Sequence, residues 1–235
     1  MRDLGGYPTS DGRLLKWGML IRSDDLYALQ PQGAQYLASV PIDTVVDFRA
    51  AEETAEAPDR NLPAYIQRIH LPITPGRLND TASYMNATES EADAMMHAMY
   101  GELVTSGEAV SCFRRFFEIL HEPSSKGVLF HCSAGNDRTG MAAAFLLSAL
   151  GVPEHIITED YMVSNSMLEG KYDWYTDQYP QLKPMFIVRR EFLHTAFDTI
   201  TARYGSVHDF LTGTIGIRPE TLRKKYLYDP TADNH

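Results

Sequence analysis

The sequence has few cysteines, few basic residues and no long apolar run, and each shortage excludes a class of protein. Two cysteines, Cys112 and Cys132, are too few for the disulfide framework of a small secreted domain. The 21 Lys and Arg residues against 31 Asp and Glu residues give a net charge of −10, with no basic cluster for nucleic acid or anionic lipid. The longest apolar stretch, residues 141–150, is shorter than the roughly 20 residues of a transmembrane helix. We therefore expect no nucleic-acid partner and no stable membrane association.

Length and composition are those of one globular domain. The 235 residues, 44% of them hydrophobic and 22% charged, suffice to bury a large core and give no sign of disorder. Residues 1–230 are predicted to form a single domain, with a frayed tail over 229–235. The N-terminal segment lacks the apolar region of a signal peptide, so we expect a cytoplasmic protein, with export by a leader outside this sequence as the alternative. The sequence does not determine the oligomeric state.

Short strand patterns alternate with helical patterns along the chain. This alternation predicts an α/β fold with a mostly parallel central sheet flanked by helices. The Asp11-Gly12 pair favours a hairpin turn, residues 52–60 are charged and predicted to be exposed, and the Met-rich residues 76–107 are predicted to be a mostly helical excursion from the sheet. Strands are predicted at 16–21, 42–48, 65–71 and 128–130, and helices at 30–39, 108–121, 139–150 and over most of 154–228.

The segment between the last short strand and the next helix carries groups suited to phosphate chemistry. A loop there can turn its backbone N–H groups inward, and the following helix directs its positive end to the same point. Gly135 lets the backbone curl around a ligand, and Arg138 can bind two phosphate oxygens with its guanidinium. The Cys132 thiol, at a helix N-terminus beside a cation, is favoured as the nucleophilic thiolate. The predicted phosphate-binding residues of this loop are Ser133, Ala134, Gly135, Asn136, Asp137 and Arg138.

Other polar residues are predicted to support this loop or to be structural. His131 is expected to brace it by hydrogen bonds without transferring protons, and Thr139 offers a hydroxyl that can donate to the thiolate. Asp47 lies at the end of a predicted strand and Arg49 directly after it, and the two are more simply explained as an ion pair than as catalytic residues. Cys112 lies on an amphipathic helix and is expected in the core. Because no cluster with zinc-ligand spacing is present, we expect no metal and no cofactor.

The loop resembles the signature of the cysteine-dependent protein tyrosine phosphatases. The shared pattern is Cys-x5-Arg followed by Thr, with His before the cysteine and Gly at the third position after it. The rest of the chain is similar to one bacterial branch of tyrosine/serine phosphatases, whose loops read Cys-x-Ala-Gly-Lys-Asp-Arg-Thr-Gly and some of whose members cleave phosphoinositides. The blocks that carry this similarity are Arg2-Asp3-Leu4-Gly5-Gly6, Asp11-Gly12-Arg13, Arg22-Ser23-Asp24, Asp47-Phe48-Arg49, Asp160-Tyr161 with Ser164-Asn165, and Tyr204-Gly205-Ser206.

The resemblance covers nearly the whole chain and implies a phosphatase α/β fold with a helical lid, which residues 76–107 would form. Relatives carry Asn-Phe before the first block, so native residues preceding Met1 are compatible with the resemblance. Asn136 stands where relatives active on phosphoinositides carry Lys, and this loss of positive charge disfavours lipid substrates.

Three functions are weighed from the sequence. The first is a dual-specificity protein phosphatase that hydrolyses phosphotyrosine, and also phosphoserine and phosphothreonine, through a phosphocysteine intermediate on Cys132. The alternatives are a phosphoinositide phosphatase on the same fold and a silent module that captures phosphoproteins, which would not need a thiolate.

The leaving group also requires a proton donor. The resemblance favours Asp137 in the loop, and Asp80 and Asp47 are the alternatives.

Overall fold

A computed structural model of the chain describes residues 1–74 and 85–232. Its central sheet has five strands in the order β1-β3-β6-β4-β5, in which β3, β6, β4 and β5 run parallel and β1 pairs antiparallel with β3. A second, two-stranded sheet pairs β2 with β7. The strands are β1 (Arg2–Asp3), β2 (Leu14–Leu15), β3 (Leu20–Ser23), β4 (Ile42–Asp47), β5 (Gln67–His70), β6 (Gly127–His131) and β7 (Leu227–Tyr228).

Helices cover both faces of the central sheet, as a parallel sheet requires. A short 3₁₀ turn at Pro180–Leu182 and a π-helical turn at Phe210–Ile215 connect some of them. The helices are α1 (Pro31–Ser39), α2 (Ala51–Glu56), α3 (Glu89–Thr105), α4 (Gly107–His121), α5 (Arg138–Leu150), α6 (Glu154–Leu168), α7 (Asp173–Gln178), α8 (Lys183–Phe186), α9 (Arg190–Tyr204), α10 (Val207–Asp209) and α11 (Pro219–Tyr226).

Strand β6 and helix α5 form the centre of the molecule. All five residues of β6 are buried, and so are all residues of α5 except Ser148, as expected of a mostly apolar helix in the centre of a domain. Gly151 ends α5 in the left-handed conformation that favours glycine, with φ +85°. One continuous core cluster includes buried side chains from Leu4 to Leu227. The loop between β6 and α5 is therefore held between two elements of the buried core.

The mostly parallel sheet and the helices at 108–121 and 139–150 are confirmed, as are the strands predicted at 42–48, 65–71 and 128–130. The strand predicted at 16–21 is wrong in its position: Gly18, with φ +72°, makes a turn there, and β3 begins only at Leu20. The exposure predicted for residues 52–60 is only partly correct, because Glu53 and Asp59 are half-buried; α2 occupies the first part of the segment. The two-residue strand β7 lies at the end of the segment predicted to be helical.

Helix α3 occupies much of the segment predicted to form a lid. Its side chains Met96, Met99, Tyr100 and Leu103 are buried in the main core, and the helix packs against α9. Residues 75–84, which include the lid's beginning and Asp80, lie outside the described residues. Within the described ranges, no helix has both the length and the hydropathy that crossing a membrane requires.

Candidate active site

The candidate site lies at the carboxyl edge of the parallel strands. Strand β6 ends at His131 and α5 begins at Arg138, so Cys132 and the five residues after it form the connecting loop. Because β6 lies between β3 and β4, the segments that follow all three strands meet at this edge.

The loop curls around the Cys132 sulfur. The Gly135 backbone N–H donates a hydrogen bond of 3.3 Å to Cys132 Sγ, and the cysteine is almost completely buried. Gly135 has φ +75°, and a Cβ at this position would lie 2.6 Å from the Ser23 carbonyl oxygen and 2.7 Å from the Asp24 nitrogen. A glycine is required here both by the backbone conformation and by the close approach of the segment after β3.

Arg138 closes the loop through an ion pair with Glu53 of α2. Arg138 Nη1 and Nη2 each donate a hydrogen bond of 2.7 Å to one oxygen of the Glu53 carboxylate. The Ser133 hydroxyl and the Ala50 backbone N–H also donate to this carboxylate. Burial alone would raise the pKa of Glu53, but the hydrogen bonds and charge of Arg138 outweigh it and lower the pKa to about 2.

Glu53 was not predicted as a site residue, because residues 52–60 were expected only to be charged and exposed. The sequence does hold a signal for it: Glu53 follows the Asp47-Phe48-Arg49 block by four residues, at the end of a predicted buried strand. A carboxylate at the carboxyl edge of a parallel sheet lies within reach of a cation from a neighbouring loop. Here that cation is Arg138, which the loop pattern had already identified.

Asp137 lies at the end of a chain of two tyrosine hydroxyls. The Tyr100 hydroxyl of α3 donates a hydrogen bond of 2.5 Å to Asp137 Oδ1, and the Tyr161 hydroxyl of α6 lies 2.6 Å from that of Tyr100. Burial raises the pKa of Asp137 to about 6, against the lowering effects of the Tyr100 hydrogen bond and the Arg138 charge. The carboxyl group can therefore hold a proton in mildly acidic solution.

A buried ion cluster braces the loop from behind. Arg22 Nη2 donates a hydrogen bond of 2.7 Å to the Gly135 carbonyl oxygen, and Arg22 Nη1 lies 2.7 Å from Asp160 Oδ2. Arg2 Nη1 lies 2.7 Å from the other oxygen of Asp160. The first, third and fifth of the sequence blocks that carry the family resemblance thus meet in one cluster, in which Arg22 forms a buried ion pair.

His131, Asp47 and Arg49 belong to a second ion cluster on the other side of the loop. His131 Nε2 lies 3.1 Å from Asp59 Oδ2, in keeping with a bracing hydrogen bond. Arg49 contacts both oxygens of Asp47, at 2.9 and 2.7 Å, and Asp59 Oδ1 at 2.8 Å, so the predicted ion pair is confirmed. Asp47, Asp59 and His131 approach one another as metal ligands do, but both carboxylates are already paired with the Arg49 guanidinium.

Two loop side chains are buried without partners. Within the described part of the chain, neither the Thr139 hydroxyl nor either amide atom of Asn136 has a hydrogen-bond partner. The hydrogen bond predicted from Thr139 to the Cys132 sulfur is therefore not formed in this structure. Cys112 is half-buried against the main core, and its thiol donates to the Pro72 carbonyl oxygen at 3.1 Å, which supports the prediction of a structural role.

Comparison with known proteins identifies a family over nearly the whole chain. A family model described as the tyrosine phosphatase family matches residues 1–228. A Cupriavidus necator protein assigned to the tyrosine-protein phosphatases is 31% identical, over 96% of this chain and 85% of that protein. The triple specificity protein phosphatase PtpB of Mycobacterium tuberculosis is 27% identical, over 89% and 90% of the two chains. The crystal structure of P. aeruginosa TpbA aligns at 16% identity with a TM-score of 0.34, over 90% of this chain and 88% of that one.

Proposed function

The chain belongs to the tyrosine phosphatase family, and from this premise we propose that it hydrolyses phosphotyrosine in proteins, with phosphoserine and phosphothreonine as further substrates, using Cys132 as its nucleophile. The observation that carries the proposal is the loop of residues 132–138, where the buried sulfur accepts a backbone N–H and Arg138 closes the cup. Captured phosphate would sit at the N-terminus of α5, where the helix dipole favours an anion.

In the first step the Cys132 thiolate attacks phosphorus in line with the leaving oxygen. The sulfur–phosphorus bond forms as the phosphorus–oxygen bond breaks, and Asp137 gives its proton to the departing phenol or alcohol. In the second step water attacks the phosphocysteine, the Asp137 carboxylate accepts its proton, and the thiolate leaves. The products are inorganic phosphate and the dephosphorylated substrate.

Arg138 is arranged to stabilise the transferring phosphoryl group. A guanidinium has five N–H donors, and Glu53 accepts one from each terminal nitrogen of Arg138. The carbonyl oxygens of Phe48 and Ile73 face Nη1, at 3.3 and 3.4 Å. Within the described residues no acceptor faces Nε, so Nε and the second hydrogen of Nη2 remain together on one edge. This edge is the fork that two phosphate oxygens require. Glu53 thus holds the guanidinium in place without occupying its binding edge.

The proposal is tested by phosphate release without added metal, comparing the native protein with Cys132→Ser. The substrates are a phosphotyrosine peptide, a phosphoserine peptide and a phosphoinositide in vesicles. We expect turnover of the phosphotyrosine peptide that disappears in Cys132→Ser and survives in the matched control Cys112→Ser. Turnover that persists in Cys132→Ser, or faster hydrolysis of the phosphoinositide than of either peptide, would contradict the proposal. Tight phosphopeptide binding without turnover would identify a binding module instead.

A further inference from the structure

We propose that Tyr100 and Tyr161 are positioning residues for the proton donor: the Tyr100 hydroxyl fixes Asp137 Oδ1, so that the proton given to the leaving group is carried on Oδ2. The inference rests on the proposed function, in which Asp137 is the general acid. It adds two residues from α3 and α6 to a site that the sequence placed in a single loop.

The donor of each hydrogen bond between Tyr161, Tyr100 and Asp137 can be assigned. Each tyrosine hydroxyl has a single hydrogen, and an ionised carboxylate can only accept. The hydrogen of Tyr100 lies in the 2.5 Å bond to Asp137 Oδ1, so the 2.6 Å contact between the two hydroxyls uses the hydrogen of Tyr161. Both hydroxyls therefore point their hydrogens toward Asp137. When Asp137 is protonated in this arrangement, the Tyr100 hydrogen occupies Oδ1 and the acidic proton belongs on Oδ2.

Packing holds the two tyrosines rigidly. Both are essentially inaccessible to solvent, and their rings meet edge to face with centroids 6.3 Å apart. The Tyr100 ring also stacks on Phe192 of α9, at 5.4 Å. The Tyr161 ring lies so close to Gly140 of α5 that an added Cβ would stand 3.1 Å from it. Three helices thus fix the hydroxyls relative to the start of α5, which Asp137 directly precedes.

The two tyrosine hydroxyls act on the acidity of Asp137. A hydrogen bond to the ionised carboxylate favours the ionised form, and burial favours the protonated form. The charged and titratable groups around Asp137 are Tyr100 from α3, Tyr161 from α6 and Arg138 on α5, with Arg22 of β3 acting on Tyr161. After Asp137 has given up its proton, the Tyr100 hydroxyl stabilises the carboxylate, which then accepts the proton of the attacking water. Burial and the Asp137 charge raise the pKa of Tyr100 well above its ordinary value, so Tyr100 remains a donor throughout.

The test is the pH dependence of kcat for Tyr100→Phe. Activity is expected to fall as pH rises through the pKa of Asp137, because the acid is then ionised. Removing the Tyr100 hydroxyl takes away a hydrogen bond to the ionised form, so the alkaline limb should move upward by roughly one pH unit or more. The matched control is Tyr226→Phe, which removes a buried hydroxyl bonded to the Leu120 carbonyl oxygen at 3.2 Å, away from the site. Its limb should stay where it is in the native protein.

Two further variants make every outcome decisive. Asp137→Asn should abolish the alkaline limb and should lose more rate on phenyl phosphate than on p-nitrophenyl phosphate, whose better leaving group needs less proton donation. A limb that persists in Asp137→Asn means that the acid assignment itself is wrong, and the inference falls with it. A limb that disappears in Asp137→Asn but does not move in Tyr100→Phe makes the tyrosines merely structural. If Tyr100→Phe does not fold, Tyr161→Phe should still move the limb upward by a smaller amount, and an unmoved limb there overturns the inference.

Discussion

At the scale of single residues, one carboxylate connects both ends of the phosphate loop. Glu53 accepts hydrogen bonds from Ser133, the first residue after Cys132, and from Arg138, which closes the loop. It is only partly exposed, and its charge is matched by the arginine. A hydrogen bond between charged partners contributes about 1.5–3 kcal/mol, more than a neutral one. Both the shape of the loop and the direction of the guanidinium therefore depend on a residue outside the signature motif.

Replacing Glu53 with Gln should lower kcat/KM by roughly 10- to 100-fold, because Arg138 loses its charged anchor. The substitution should also change the acid stability of the fold. The folded pKa of Glu53, about 2, lies below its ordinary value near 4.5, so its contribution is present above pH 4.5 and is lost as pH falls toward 2. Urea unfolding at pH 7 and pH 3 should show the native protein losing more stability than Glu53→Gln. Glu52→Gln, on the exposed face of the same helix, should behave like the native protein in both assays.

Gly135 and Gly170 offer a matched pair that separates backbone strain from collision. Both have positive φ, +75° and +78°, but only at Gly135 would a Cβ meet neighbouring atoms within 4 Å. Gly170→Ala should cost about 1–2 kcal/mol of stability, the cost of a left-handed residue that carries a side chain. Gly135→Ala should cost more and reduce phosphatase activity at least roughly tenfold, since the loop must move away from Ser23. Equal losses of stability and activity in the two variants would mean that the close approach to β3 has no importance.

At the scale of secondary structure elements, Asp160 joins three segments that are distant in sequence. Its carboxylate on α6 pairs with Arg2 of β1 and Arg22 of β3, and Arg22 in turn holds the Gly135 carbonyl. The cluster ties the antiparallel edge of the sheet to the helix that also supplies Tyr161. The position of the loop therefore depends on β1 and β3 near the N-terminus and on α6, which lies more than 130 residues later in the chain.

Asp160→Asn should be among the most destabilising polar substitutions in the protein. The substitution leaves two mostly buried arginines without their counter-charge. Such a loss typically lowers the free energy of unfolding by about 3–5 kcal/mol. Arg2→Ala should cost less, because Arg2 is the more exposed cation and Arg22 keeps its partner. Thermal unfolding of the two variants, with circular dichroism as the probe, gives the comparison. An Asp160→Asn protein as stable as the native one would show that the cluster contributes nothing to the fold.

How far the sequence predicted these elements depends on what determines each of them. Strand β6 and helix α5 were predicted well because their apolar runs are continuous and a glycine ends the helix. The strand at 16–21 was misplaced because its apolar residues continue through Gly18, whose turn the hydrophobic pattern does not reveal. Strands β2 and β7 have two residues each, and their pairing depends on tertiary contacts.

In the candidate site, too, the residues that are contiguous in sequence were predicted and those contributed by distant elements were not. The loop from Cys132 to Thr139 was predictable because its residues are contiguous and their chemistry is specific. Glu53, Tyr100 and Asp160 were not identified, because each reaches the site from another element and no local spacing relates it to the loop. Tyr100, for example, is 37 positions from Asp137 in the sequence and lies on a helix expected to belong to a lid.

At the scale of the whole molecule, the net charge of −10 opposes the approach of phosphorylated substrates. Raising the salt concentration from about 20 to about 200 mM shortens the Debye length from roughly 20 Å to below 10 Å. We therefore expect kcat/KM for a phosphopeptide with acidic flanking residues to rise several-fold with added potassium chloride. A peptide with basic flanks should show a smaller rise or a fall. If kcat/KM for the acidic peptide decreases with salt, the positive potential of the loop dominates over the charge of the molecule.

The strand order of the central sheet has a consequence for the chain during its synthesis. Strands β1 and β3 can pair, and so can β4 and β5, but β6 lies between these two pairs and is translated after all of them. About 56 residues separate the end of β5 from the start of β6, and a ribosome adding about 5–20 residues per second needs roughly 3 to 11 seconds for them. Until then we expect the nascent chain to expose the inner edges of these two strand pairs, the kind of surface that chaperones protect and through which chains aggregate. The insertion of β6 covers both inner edges and places Cys132 at the carboxyl edge of the sheet. We therefore expect the candidate site to form in the same step that removes the exposed edges.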